Sequence, residues 1–263
     1  MRHLRHIFLV PVLIIAGSQS ASAQPAPNTE SIEIGLSTET ISITSGFGGT
    51  ELTVFGAVDN ADPLIQRQGR YDVIVILEGP RKNLVVRRKD RIAGIWINAE
   101  SVTFLNVPLS YSLASTRNLQ DITTEKVYKQ LTLGVNNLFL EPEPGFTSNE
   151  VLAEFSRELP RVKTKQRLYT QRIGDVQFLS ATLFRATLYL PANVPTGMHK
   201  ARAFLFRNGE FLRESSTNLQ IVKAGLEQRI FHAAHEYSFL YGLFAVFLAV
   251  ITGWFGRILF RKD

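Results

Sequence analysis

The chain contains no cysteine, and only two methionines and two tryptophans among its 263 residues. Without cysteine there is no disulfide, no thiolate metal centre and no c-type haem attachment, so stability must come from an apolar core. Several catalytic signatures are also missing. There is no Gly-x-Ser-x-Gly elbow, dinucleotide fingerprint or calcium loop, and the Gly46 to Gly49 cluster lacks the Lys-Ser/Thr pair that a phosphate loop requires. A large charge of one sign is absent too. Of 29 Lys and Arg against 23 Asp and Glu, five cations (Arg2, Arg5, Arg257, Arg261, Lys262) and one acid (Asp263) lie at the two ends. The rest is near neutral, which implies no general affinity for nucleic acid or other polyanions. No metal site is expected. His232 and His235 are spaced to share a helix face, but a third ligand and the HExxH pattern are lacking. Glu141-Pro142-Glu143 reads as an exposed loop rather than a catalytic carboxylate pair.

What the chain does have is one long apolar run. Residues 238 to 256 read SFLYGLFAVFLAVITGWFG without a charge, and Arg257, Arg261 and Lys262 follow. A membrane-crossing helix needs about 20 such residues, so a transmembrane helix is expected over 238–260 with a cytoplasmic tail over 261–263. Ala245, Ala249 and Gly253 recur every four residues and would give a face on which a second helix backbone can approach closely. The alternative is that small residues are simply frequent in such helices. At the other end, Arg2 and Arg5, an apolar run from Ile7 to Ala16 and Ala21-Ser22-Ala23 form a secretory signal over 1–23. Together the two ends predict a protein of the bacterial inner membrane, single pass, with its N-terminal domain in the periplasm and its C-terminus cytoplasmic. A lipoprotein anchor is excluded for want of cysteine.

Between the ends, a flexible lead-in (24–30) precedes short β-rich segments. Ile32, Ile34 and Leu36 alternate. Tyr71 to Leu77 is apolar on both faces and reads as a central strand. Leu84 to Arg88, Ile92 to Ile97 and Val102 to Leu105 read as three further short strands. From about 115 to 172 the pattern turns helical, over 121–133 and 148–159, with Pro160 as a stop. Strands resume at Val176, and Asn208-Gly209 marks a hairpin. The expected fold is mainly β: an antiparallel Ig-like β-sandwich over 31–223 with a helical insertion, a juxtamembrane helix over 224–237, and the C-terminal helix. The two β blocks either complete one sandwich around the insertion, the preferred reading, or form two small ones.

Several of these stretches carry a resemblance. Glu78-Gly79-Pro80, the run from Val86 to Asn98 (VRRKDRIAGIWIN), Phe104 to Pro108, Tyr111 to Thr116, Leu190-Pro191 and Val194 to Gly197, with the C-terminal apolar segment, resemble a family of alphaproteobacterial "putative transmembrane proteins" of unknown function. The resemblance covers nearly the whole chain after the signal. It implies a possible polytopic partner, a sulfite-exporter-type permease, and implies no catalytic residue and no cofactor.

The residues themselves offer one candidate contact site. Arg87, Arg88, Lys89 and Arg91 flank Asp90 with Trp96 a strand away, a set able to hold an oxyanion or lipid headgroups. The competing reading is a solvated hairpin whose charges discourage edge pairing. Two functions are therefore expected. The first is a non-catalytic, membrane-anchored periplasmic protein serving as an accessory or interaction subunit of a membrane transporter. The second is a periplasmic module binding a small oxyanion at the basic hairpin. An enzyme with an unrecognised site is a third and weaker reading.

Overall fold

The computed structural model describes residues 30–68, 71–145, 148–225 and 234–259. Two sheets face each other. The first has four strands in the order β1 (Ser31–Leu36), β3 (Gly49–Asp59), β11 (Leu183–Pro191), β10 (Val176–Phe178). The second has six: β2 (Thr40–Ile43), β13 (Glu210–Lys223), β12 (Gly197–Arg207), β4 (Tyr71–Glu78), β7 (Tyr111–Ser115), β9 (Tyr169–Ile173). Alternate residues of the facing strands fill the space between the sheets. Leu52, Val54 and Val58 meet Val73, Val75, Leu77, Ala203 and Leu205 there. Strands from both β blocks pair with each other, β3 with β11 and β4 with β12.

Strand β4 is buried along all eight residues and lies inside the six-stranded sheet, as its two-faced apolar sequence predicts. Its other face, Ile74 and Ile76, joins Phe204, Phe206 and Leu113 beneath a helical layer. After a short helix α1 (Pro63–Arg67) ahead of β4, that layer consists of α2 (Leu119–Ile122), α3 (Glu125–Gln130) and a 3-10 turn at Val135–Asn137. Tyr111 fastens it by accepting from the Gly134 N–H (3.0 Å), and Tyr169 of β9, beside Tyr111, donates to the Pro108 carbonyl (2.6 Å). The single helix expected over 121–133 is thus two short ones.

The antiparallel expectation needs correcting at both edges of the larger sheet. β2 runs parallel to β13, and β7 parallel to β9. A parallel pair needs a long crossover, and the helical segment between β7 and β9 supplies it. At the other edge the chain changes sheets between β1 and β2, with the Ser37 N–H bound to the Thr53 carbonyl (2.9 Å).

Two further expectations are corrected. The stretch 84–105 forms two long strands, β5 (Arg81–Ile92) and β6 (Ile95–Pro108), rather than three short ones. Ala93 and Gly94 both take positive φ (52° and 84°), which makes a two-residue turn of the kind that matches strand twist. The short β8 (Glu141–Pro142) adds to β6, so Glu141 and Glu143 flank a strand edge and stay exposed. Pro160 does not stop its helix: α4 runs Asn149–Lys165 with Pro160 inside. Phe155 and Leu159 of α4 bury against Val102, Phe104 and Val107 of β6. Two such side chains contribute about 3–6 kcal/mol, enough to offset the ~3 kcal/mol an internal proline costs.

α4 ends with Arg167 in the left-handed region (φ 60°), its N–H on the Thr164 carbonyl (2.9 Å) and that of Leu168 on the Lys163 carbonyl (3.0 Å). Glycine is the usual residue at this position. Arg167→Gly is expected to raise the urea midpoint, by about 0.5–1 kcal/mol of stability. A fall would show that the arginine side chain has a structural task.

The C-terminal expectation is also corrected. A helix, α5, does form over Ser238–Leu259. However, among the described residues no helix is long and apolar enough to cross a membrane. The expected signal (1–23), most of the lead-in, His232, residues 226–233 of the juxtamembrane stretch and the tail (261–263) lie outside the described residues.

Candidate functional site

The β5–β6 ribbon is the most distinctive surface of the protein. Near the body it is anchored: Leu84 and Val86 lean on the small core made by β6 and α4. Toward the turn it is bare, with Ile92, Ile95, Trp96 and Ile97 all exposed and Ile95 and Trp96 about two-thirds so (68% and 66%). Strand alternation divides the four cations read from the sequence. Arg87, Lys89 and Arg91 are exposed on one face, opposite Ser101, Asn98 and Trp96. Arg88 points to the other face. There it pairs with Glu100 (3.0 Å), with Glu154 of α4 (3.0 Å) and more loosely with Asp90 (3.6 Å). The attraction of Glu100, with Glu154 and Asp90, holds its pKa above the ordinary arginine value. Arg88 thus ties ribbon to helix, and the four cations do not form one anion pocket.

The other residues singled out from sequence are placed as follows. Ala245, Ala249 and Gly253 share one exposed stripe of α5, and nothing lies within 4 Å of where a Cβ on Gly253 would be. Phe239, Leu243, Phe244, Phe247 and Val250 of the same helix are exposed. His235 is exposed, and among the described residues no group of three or more His, Cys, Asp or Glu could hold a metal.

Sequence reading missed a Ser–His pair from positions far apart in the chain. Ser110 Oγ lies 3.3 Å from His199 Nε2, and His199 Nδ1 lies 3.2 Å from the Gly197 carbonyl. A carbonyl only accepts, so Nδ1 carries the proton and Nε2 accepts from the serine. The arrangement looks like an activated nucleophile, but both side chains lie beneath the surface. Ser110 and His199 are 6% and 1% exposed. Even a methyl group on Gly79 would be 3.1 Å from His199 Nε2 and closer still to Ser110 Oγ. Burial holds the His199 pKa below its ordinary value, partly offset by the Gly197 bond. The folded state therefore keeps the ring neutral while the unfolded chain takes up a proton below about pH 6.5. Stability is expected to fall as pH drops below 6.5, by up to about 1.4 kcal/mol per pH unit until the folded pKa is reached. His199→Gln should flatten that part of the urea-midpoint profile.

The family model described as "Putative transmembrane protein (Alph_Pro_TM)" matches residues 31–262. The chain belongs to this family. The match spans the sandwich, the ribbon, the helical crossover and α5, so all of them belong to one family unit. Among curated proteins none matches. Solved structures give distant likenesses. One is the N-terminal domain of the Streptococcus gordonii adhesin Sgo0707 (7% identity, TM-score 0.26, covering 74% of this chain and 33% of that one). Another is AggA, the major subunit of aggregative adherence fimbriae type I from Escherichia coli (9%, 0.24, 75% and 96%). A third is a family 123 glycoside hydrolase from Clostridium perfringens (11%, 0.24, 75% and 28%). The chain spans about a third of the adhesin domain and less of the hydrolase.

Proposed function

We propose that this member of the family is a non-catalytic, membrane-associated protein of the bacterial envelope that acts by binding a membrane-embedded partner of the transporter class. The observation that carries this reading is the bare apolar surface of α5. Phe239, Leu243, Phe244, Phe247 and Val250 are exposed together on one helix. Covering such side chains is worth about 1.5–3 kcal/mol each, so an apolar contact outside this chain is strongly favoured. The stripe of Ala245, Ala249 and Gly253 is where a partner helix can come closest. The family's description supports a membrane setting. The signal pattern at the N-terminus supports placing the β domain in the periplasm.

The test is photo-cross-linking of the full chain in its native membrane, with the probe at Ala249. One reproducible polytopic membrane protein among the products is the expected result. Products made only of this chain, or none, would sink the reading.

A further inference from the structure

We infer that the free end of the β5–β6 ribbon is a wedge that enters the surface of an anionic lipid bilayer. The inference deepens the proposed function and rests on its membrane setting.

The first argument is shape. Beyond the point where Arg88, paired with Glu100, is tied to Glu154 of α4, the exposed end of β6 from Ile95 to Ala99 extends roughly 15 Å at strand rise. Over that length β5 and β6 pair only with each other, since β8 joins β6 at Phe104 and Leu105. A narrow two-stranded projection can be inserted without moving the body.

The second argument is where the apolar groups lie. Ile92 pairs with Ile95, and Ile97 lies two residues on, so three isoleucines share one face. Trp96 is on the other face, opposite Arg91. A protein groove covers one side of a ribbon. A tip with large apolar groups on both sides, charged only at Arg91 beside Trp96 and at Asp90, held by Arg88, beside Ile97, suits the boundary of a fluid apolar medium, with Trp96 and Arg91 at the level of the headgroups.

The third argument is charge. Arg87, Lys89 and Arg91 stand on the Trp96 face at successive distances from the turn, and the residues across from them are Ser101, Asn98 and Trp96. Asp90 and Glu100 are on the opposite face and are paired with Arg88. Arg91 also donates to the Gly94 carbonyl (3.3 Å), which keeps one charge at the turn. If charge served only to keep the ribbon solvated and unpaired, the outermost residues would be charged as well. Instead the outermost pair, Ile92 with Ile95, is apolar, Arg91 is level with Trp96 just inside it, and Lys89 and Arg87 lie successively behind, placed to reach lipid phosphates when the isoleucine end is inserted.

The experiment uses the full chain with Trp254→Phe, which leaves Trp96 as the single tryptophan. Its emission and its quenching by bromine on lipid acyl chains are measured in vesicles of phosphatidylcholine alone and with 30% phosphatidylglycerol. Blue-shifted emission and quenching are expected only with the anionic lipid. Changing Arg87, Lys89 and Arg91 together to Gln should weaken the quenching response by about 100-fold in lipid concentration. Ile92→Ser with Ile95→Ser should remove it while keeping the cations. All five side chains are exposed, so the urea midpoint should not change. Equal quenching in neutral vesicles would overturn the assignment to anionic lipid. A Trp96 open to aqueous iodide in both vesicles would overturn the wedge itself, as would quenching that requires a co-purified protein. If cross-linking at Ala249 still captures a partner while Trp96 stays in water, this inference fails and the proposed function stands. A lipid-buried Trp96 without any partner is the converse.

Discussion

Gly56→Ala is expected to cost about 3 kcal/mol or more, a large share of a domain stability of roughly 5–15 kcal/mol. Gly56 is opposite Phe184 on β11 and opposite Ile34 on β1. The Phe184 ring, fully buried, lies over the glycine in place of a side chain. A Cβ at this position would be 2.6 Å from Phe184 Cε1, nearer to its Cζ, and 2.8 Å from the Glu33 carbonyl oxygen. The ring can turn only into a filled core, and the carbonyl belongs to the β1–β3 ladder, so neither yields at small cost. The check is a double-mutant cycle by urea unfolding. Phe184→Leu alone should destabilise through lost volume, yet it should recover part of the loss in the Gly56→Ala background. Additive losses would show that the two residues do not share the space.

Arg202→Met is the second large effect, with an expected loss of about 3–5 kcal/mol at neutral pH. Glu78 ends β4 almost completely buried, between Arg202 (2.6 Å) and Arg81 (2.7 Å). Burial pushes its pKa up, but the nearby Arg202 charge, joined by Arg81, outweighs that and holds it below the ordinary carboxylate value. A carboxylate with a depressed folded pKa contributes stability above its unfolded pKa. That contribution is lost as pH falls below about 4.5 and through the folded value. Without Arg202, burial becomes the leading influence and protonation relieves the strain. The deficit of the variant relative to wild type should therefore narrow on acidification. A double variant, Glu78→Leu with Arg202→Met, should lie close to wild type at pH 7, because no buried charge is left unpaired; Arg81 also loses its carboxylate, but its side chain is exposed to water. A deficit in Arg202→Met that stays constant from pH 7 to pH 4 would point instead to lost packing of Arg202 over Phe204, whose ring centre is 5.1 Å away.

Features written locally in the sequence were legible. Asn208 and Gly209 take positive φ (50° and 92°) and join β12 to β13, as their identities predict. The unbroken Val73 to Ile76 run marks a strand covered on both sides. Features decided by distant partners were not. Ala93-Gly94 is a weak turn signal, and a bulge after Arg88 offsets the pairing, so two long strands read as three fragments. Once β5 is known to run through to Ile92, alternation alone separates Arg88 from Arg87, Lys89 and Arg91. The helix continues past Pro160 because of what Phe155 and Leu159 touch, which local propensity does not register. Ser110 and His199 are brought together by strands far apart in sequence, and no spacing rule would find them. For the C-terminal run, composition predicts a helix and one forms, but among the described residues it falls short of a membrane span.

The pairing of β3 with β11 and of β4 with β12 also governs the order in which the chain can fold. Leu52 meets Leu188, and Val75 meets Ala203, across about half of the sequence. As a chain is delivered from its N-terminus, neither sheet can close until the last three strands have arrived. During that interval the apolar centre of β4, Val73 to Leu77, lacks β12 on one edge and the facing sheet's β11 across the core, and a short, apolar, β-prone stretch is what associates with its like. A chain cut short before Leu183 would leave β4 with β7 on one edge but without β12 on the other, and would lack β11 from the smaller sheet. The domain is a single cooperative unit with no separable half, and until its synthesis is complete it depends on whatever keeps strands apart in its compartment.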